Sequence, residues 1–144
     1  MNEAELFIAF EKALRDLNLA GWVTLRPDDV FDENNDAPTQ PVRRGIITAQ
    51  DSETIAFGDG AYTRSYGTYQ IDLWVPRDMR NALQELGNNA TLHINSFFPT
   101  NGRGRSLIRG TTQADIKRRP VARYLGRAGA YLREAIDVEF EVDV

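Results

Sequence analysis

The stretch Ile136–Val144, "IDVEFEVDV", constrains the fold more than any other. Ile136, Val138, Phe140, Val142 and Val144 alternate without a break with Asp137, Glu139, Glu141 and Asp143. A period of two belongs to a strand, because successive side chains point to opposite faces; a helix would scatter the acids around its circumference. The chain must therefore supply a sheet for this strand and a layer to cover its apolar face. The four acids then share one face at every second residue, roughly 6–7 Å apart. They are expected to form a charged outer face that guards the strand against stray edge pairing.

A second stretch repeats the pattern. In "TYQIDLWVP", Thr68–Pro76, residues Tyr69, Ile71, Leu73 and Val75 face one way, and Gln70, Asp72 and Trp74 the other. This is a half-buried strand ended by proline. Residues 45–57 read as its partner, with an interruption near Asp51–Ser52, and the Gly-rich "GDGAYTRSYG" as the tip of a long hairpin. Trp22 to Leu25, Leu107 to Gly110 and Ala114 to Val121 are short strand candidates. Arg123 to Gly129 reads as a basic connection.

The covering layer comes from two segments of helical period. Leu6, Phe7, Phe10, Ala13, Leu14 and Leu17 recur at three-to-four spacing, and so do Met79, Leu83, Leu86, Ala90, Ile94 and Phe97. Gly87-Asn88-Asn89 weakens the second and leaves a break there open. Between the first helix and the hairpin, Arg26–Arg44 is rich in Pro, Asp and Asn and reads as a long surface loop. The expected fold is one α+β domain over residues 1–144: a mostly antiparallel sheet with two helices on one face and a long hairpin.

Chemistry is sparse. The chain has no Cys and one His, which excludes disulfides, thiolate metal sites and a His pair for zinc. His93 has no acidic neighbour in sequence, so it is expected to be a packed or surface residue rather than a catalytic one. The acidic loop lacks the ligand spacing and turn glycine of a calcium loop. The glycine-rich tip lacks the lysine of a phosphate-binding loop. No catalytic set, metal or cofactor is expected, and no apolar run is long enough to span a membrane.

Charge is the positive feature. Residues 1–60 hold 5 bases against 12 acids, residues 61–133 hold 12 against 4, and residues 134–144 hold 5 acids and no base. The net charge of −4 hides this division. A chain so divided either complements itself between subunits or offers one face to an anionic partner, unless folding mixes the charges over the surface. The basic set Arg103, Arg105, Arg109, Lys117-Arg118-Arg119, Arg123 and Arg127 suggests nucleic acid by phosphate contact, although no recognised binding motif accompanies it; the alternative is a solvated sheet face.

Taken in order, Gly67, Tyr69, Gln70, Ile71, Asp72, Trp74 and Pro76, then Phe97-Phe98-Pro99, then "LIRG" at 107–110, then Tyr131 and the alternating terminus resemble the tail terminator (tail completion) proteins of long-tailed bacteriophages. The resemblance implies a structural virion protein of the tail and neck. Such proteins form a ring, typically hexameric, that caps the tail tube, stops its growth and presents a surface to the head connector, without cofactor or catalysis. On that reading Asp137, Glu139, Glu141 and Asp143 dock a neighbouring subunit's Arg118, Arg119 and Arg123. Asp59, Tyr62, Arg64 and Tyr66 of the hairpin, with Asp28 and Asp29 of the acidic loop, touch tube or connector. Arg103, Arg105 and Arg109 line the channel and touch genomic DNA without sequence preference. A head-completion or connector protein, and a nucleic-acid-binding module using the arginines, are the competing readings.

Overall fold

The computed structural model describes residues 3–34, 40–57, 60–99 and 103–143, with side chains for all of these except 51–57, 60–64 and 143. In chain order the elements are α1 (Glu3–Asp16), β1 (Val23–Thr24), β2 (Val42–Phe57), β3 (Gly60–Pro76), α2 (Ala82–Phe97), β4 (Ser106–Arg109), β5 (Thr112–Ile116), β6 (Val121–Ala128) and β7 (Tyr131–Asp143). The strands form one curled sheet in the order β1-β2-β3-β7-β5-β4, with β6 also on β7. Every pairing is antiparallel except β1 with β2. The fold is α+β, with both helices on one face.

The alternation sets the core. Tyr69, Ile71, Leu73 and Val75 of β3 and Ile136, Val138, Phe140 and Val142 of β7 are buried against Leu6, Phe10 and Leu14 of α1 and Leu86, Ala90 and Phe97 of α2. Phe10 stacks on Tyr69 at 4.5 Å between ring centroids and tilts against Phe140 at 4.8 Å. Buried aromatic pairs of this kind add to area burial through their complementary ring edges and faces.

Several local expectations change. β7 is not an edge strand: β3 lies on one side, β6 and β5 on the other. Its acids therefore do not guard an edge. β2 runs through Asp51–Ser52 without a break, and its irregularity falls at Thr48 instead. Arg123 to Gly129 is largely strand β6, hidden from pattern reading by a bulge at Leu125 that slips the alternation by one residue. Gly126, at φ +81, takes the left-handed turn the bulge requires. The apolar stripe of α2 is rotated: Met79 and Leu83 are exposed, while Asn89 and His93 are buried.

Those two polar residues explain why α2 survives Gly87-Asn88-Asn89. Asn89 Nδ2 donates to the Glu85 carbonyl at 2.7 Å and to Glu85 Oε1 at 3.1 Å. His93 Nδ1 lies 2.6 Å from the Asn89 carbonyl, and its Nε2 lies 2.9 Å from Arg43 Nη1. Arg43 also donates to the Leu17 carbonyl and to Thr24 Oγ1. A carbonyl only accepts, so Nδ1 carries the proton and Nε2 accepts from Arg43. This relay ties α2 to β2 and to the segment after α1. Every buried polar member has a partner, as a buried network needs.

The other face of the sheet is covered in part. Trp74, Val42 and Tyr131 form a second buried cluster with Phe31 packed on it. Phe31 belongs to the loop read as surface. Glu33 Oε1 accepts from Trp74 Nε1 at 2.9 Å, and the Glu33 carbonyl accepts from Ala130 N at 2.7 Å. Gly129, at φ +60, lets that carbonyl approach, since a Cβ there would meet it. The first half of the acidic loop is therefore a packed cover, not a free arm.

Candidate assembly surface

The uncovered part of the outer face carries the residues singled out by sequence. Tyr66 of β3, Glu139 and Glu141 of β7, and Lys117 and Arg118 of the β5–β6 connection line one open groove of about 770 Å³. Arg118, Arg119, Val121, Asp137 and Glu139 line a smaller hollow beside it, about 300 Å³. The strand registers Tyr66↔Glu141 and Val121↔Asp137 bring these residues together, although they lie far apart in sequence.

Two expected acid–arginine pairs form within one chain. Arg123 grips Asp137 with Nε at 2.9 Å and Nη2 at 3.3 Å, a two-pronged contact. Arg118 Nη1 lies 3.5 Å from Glu139 Oε2, both well exposed. Arg119 reaches Asn95 of α2 at 3.4 Å. These acids thus have arginine partners at home. Exposed pairs of this sort contribute about 0–1 kcal/mol and exchange readily.

The remaining candidates separate. Arg105 and Arg109 lie beside α1, in a hollow shared with Lys12 and Asp16, rather than with the Arg118–Arg123 set. Arg103 is exposed. Asp28 is exposed, whereas Asp29 is tied into its own loop: Oδ2 accepts from Arg26 N at 2.8 Å and its carbonyl from Arg44. Asp59 and the side chains of Tyr62, Arg64 and Asp143 lie outside the described residues. Among the described residues no group of three or more His, Asp or Glu side chains could hold a metal, and no helix is long and apolar enough to cross a membrane.

Sequence reading missed a buried charge cluster on this face. Asp72 is 1% exposed and accepts from Arg133 Nη2 at 2.8 Å and Gln70 Nε2 at 2.9 Å, with Arg44 Nη2 at 4.0 Å. The guanidinium carbons of Arg44 and Arg133 each lie 5.5 Å from the Trp74 ring centroid, in cation–π range. The alternation had placed Asp72 and Trp74 on the outer face but could not reveal that a loop covers them.

On the helix side, Gly45 of β2 faces the phenol of Tyr69, and a Cβ there would meet its hydroxyl. We expect Gly45→Val to destabilise the fold by about 1–3 kcal/mol through overpacking. A urea denaturation midpoint equal to that of the parent would refute this.

No protein-family model matches the chain, and no curated protein does. Among the solved structures similar to it, one has a TM-score of 0.58 at 18% identity, over 99% of this chain and 96% of that one. At that identity the likeness speaks for the fold alone.

Proposed function

We propose that this chain is a ring-forming subunit that caps the tail tube of a long-tailed bacteriophage, stops tube growth and offers the head connector its joining surface. It acts in the virion, at the tail and neck, without catalysis or cofactor. The observation that carries the reading is the hairpin. Among the described residues β3 pairs with β7 from Arg64 onward, while β2 and β3 continue pairing to Phe57 and Gly60. Among the described residues, four β2–β3 pairs lie beyond the last β3–β7 pair and form a two-stranded ribbon about 13 Å long. A two-stranded ribbon is marginal by itself and gains stability by packing on another surface. The ordered resemblance in sequence supports the same reading, as does an outer face of exchangeable ion pairs.

Negative-stain microscopy of the purified chain, alone and mixed with tail tubes, tests it. Rings with sixfold symmetry seated on tube ends are expected. Lysines at Glu139 and Glu141 together should leave the fold intact but abolish seating or ring closure. Binding to the portal side of the neck instead would favour a connector protein. Tubes left bare, with DNA binding that falls steeply with salt, would favour the nucleic-acid reading.

A further inference from the structure

Among the described residues the outer edge of β2 is open past Arg43. β1 pairs with it only at Val42 and Arg43, and past the bond from Leu25 N to the Arg43 carbonyl no backbone bond among the described residues reaches it. The run Gly45–Gln50 contains neither charge nor proline, the usual protections of an exposed edge, and has only the bulge at Thr48. Between this edge and α1 runs a groove of about 310 Å³ with apolar walls, including Phe7, Pro27 and Ile47. Two polar atoms of groove residues are buried without a hydrogen-bond partner: the hydroxyl of Tyr69, a residue only 2% exposed, and Oε1 of Glu11. The other carboxylate oxygen of Glu11 is held by Arg15 Nε at 3.0 Å. A buried polar atom left unpaired costs about 1–3 kcal/mol, so this pair marks a place for a donor-rich guest.

The opposite side of the sheet has a second open edge. Among the described residues β6 pairs with β7 alone. Tyr124 and Arg127 are the register partners of Glu134 and Leu132, and Leu132 packs into the helix-side core. Arg127 is exposed and has no acidic partner among the described residues. Tyr124 and Leu125 are exposed as well.

We propose that β6 of one copy adds to the open edge of β2 of the next, seating Arg127 in the groove beside α1. The guanidinium meets Glu11 and Tyr69, and its aliphatic stem lies along Phe7 and Ile47. A closed ring excludes a half-turn between neighbours about the joining direction, so both helix layers lie on one side of the joined sheet and a helix-side residue of β6 arrives on the helix side of β2. An arginine fork supplies five donors, and a carboxylate and a phenol oxygen can accept them. The occupant is a second copy because the two open edges are complementary and belong to one chain. The contact is heterologous, so it propagates in one direction and closes where the rotation permits. The inference rests on the proposed ring and names the surface that builds it.

The absence of native cysteine makes a direct test simple. Cysteines replace Thr48 on β2 and Leu125 on β6, singly and together, and a bifunctional maleimide is added at high protein concentration. The double variant is expected to give a ladder of covalent multimers, and each single variant only monomer. A covalent dimer from either single variant, or no ladder from the double, would overturn the proposal. As a second arm, Glu11→Arg and Arg127→Glu should each abolish the ladder, and the two together should restore it. Failure of the pair to restore it in folded protein would remove the assigned contact. Microscopy separates this from the functional reading. Ladders that grow into open filaments keep the edge contact and sink the ring; sixfold rings without the 48–125 link do the reverse.

Discussion

Replacing Asp72 with alanine is expected to lower the free energy of unfolding by about 3–5 kcal/mol, the cost of removing one partner from a buried ion pair. Asp72 stands between Arg44 and Arg133, and both guanidinia lie against Trp74. With the carboxylate gone, two cations share a partly buried space with no anion between them. The truncation also frees Gln70 Nε2. Urea denaturation followed by tryptophan fluorescence measures the change. An exposed pair provides the contrast: Arg118→Ala should shift stability by less than about 1 kcal/mol, since both partners sit in water. Equal denaturation midpoints for Asp72→Ala and the parent would show that the cluster contributes no net stability.

Acid should weaken the fold through His93. Burial is the main cause that brings its pKa from 6.5 down to about 4; the hydrogen bond to the Asn89 backbone opposes the shift, and the Arg43 charge adds to it. Folded His93 is neutral and accepts from Arg43, and protonation would set two cations 2.9 Å apart. Between pH 6.5 and 4 the unfolded chain therefore binds a proton that the folded chain refuses. Stability from this residue is complete above pH 6.5 and is lost as pH falls toward 4, by about 3 kcal/mol in all. Carboxylates also titrate toward the acid end, so the comparison is with His93→Gln. That variant should be less stable at pH 7 yet lose less between pH 7 and 4.5 in urea titrations. Parallel losses in both proteins would rule out His93 as the sensor.

Much of this fold is legible because β3 and β7 write their period of two openly. Tyr69, Ile71, Leu73 and Val75, and Ile136, Val138, Phe140 and Val142, all lie on the face that the alternation assigns to them. β6 was not legible, because the bulge at Leu125 erases the alternation that pattern reading depends on. The stripe of α2 was misjudged for a related reason. Its buried face contains Asn89 and His93, which a hydrophobicity pattern counts as exterior until Arg43 and Glu85 are known to pair with them.

The candidate site divides in the same way. Sequence located the acids of β7 and the arginines from Arg118 to Arg123, since charge can be counted along a chain. It could not say that Asp137 and Arg123 meet within one subunit, because that follows from the β6–β7 register.

The sequence by itself determined the strand faces, the two covering helices, the absence of thiol chemistry and the division of charge. These are properties of neighbours along the chain, set by local geometry and residue type. Only the tertiary structure decided that β7 lies inside the sheet, that Phe31 and Glu33 of the acidic loop fold over Trp74, and that β2 and β6 keep open edges among the described residues. Each of these depends on which distant segments come side by side, and that is fixed by the packing of the whole chain rather than by any local pattern.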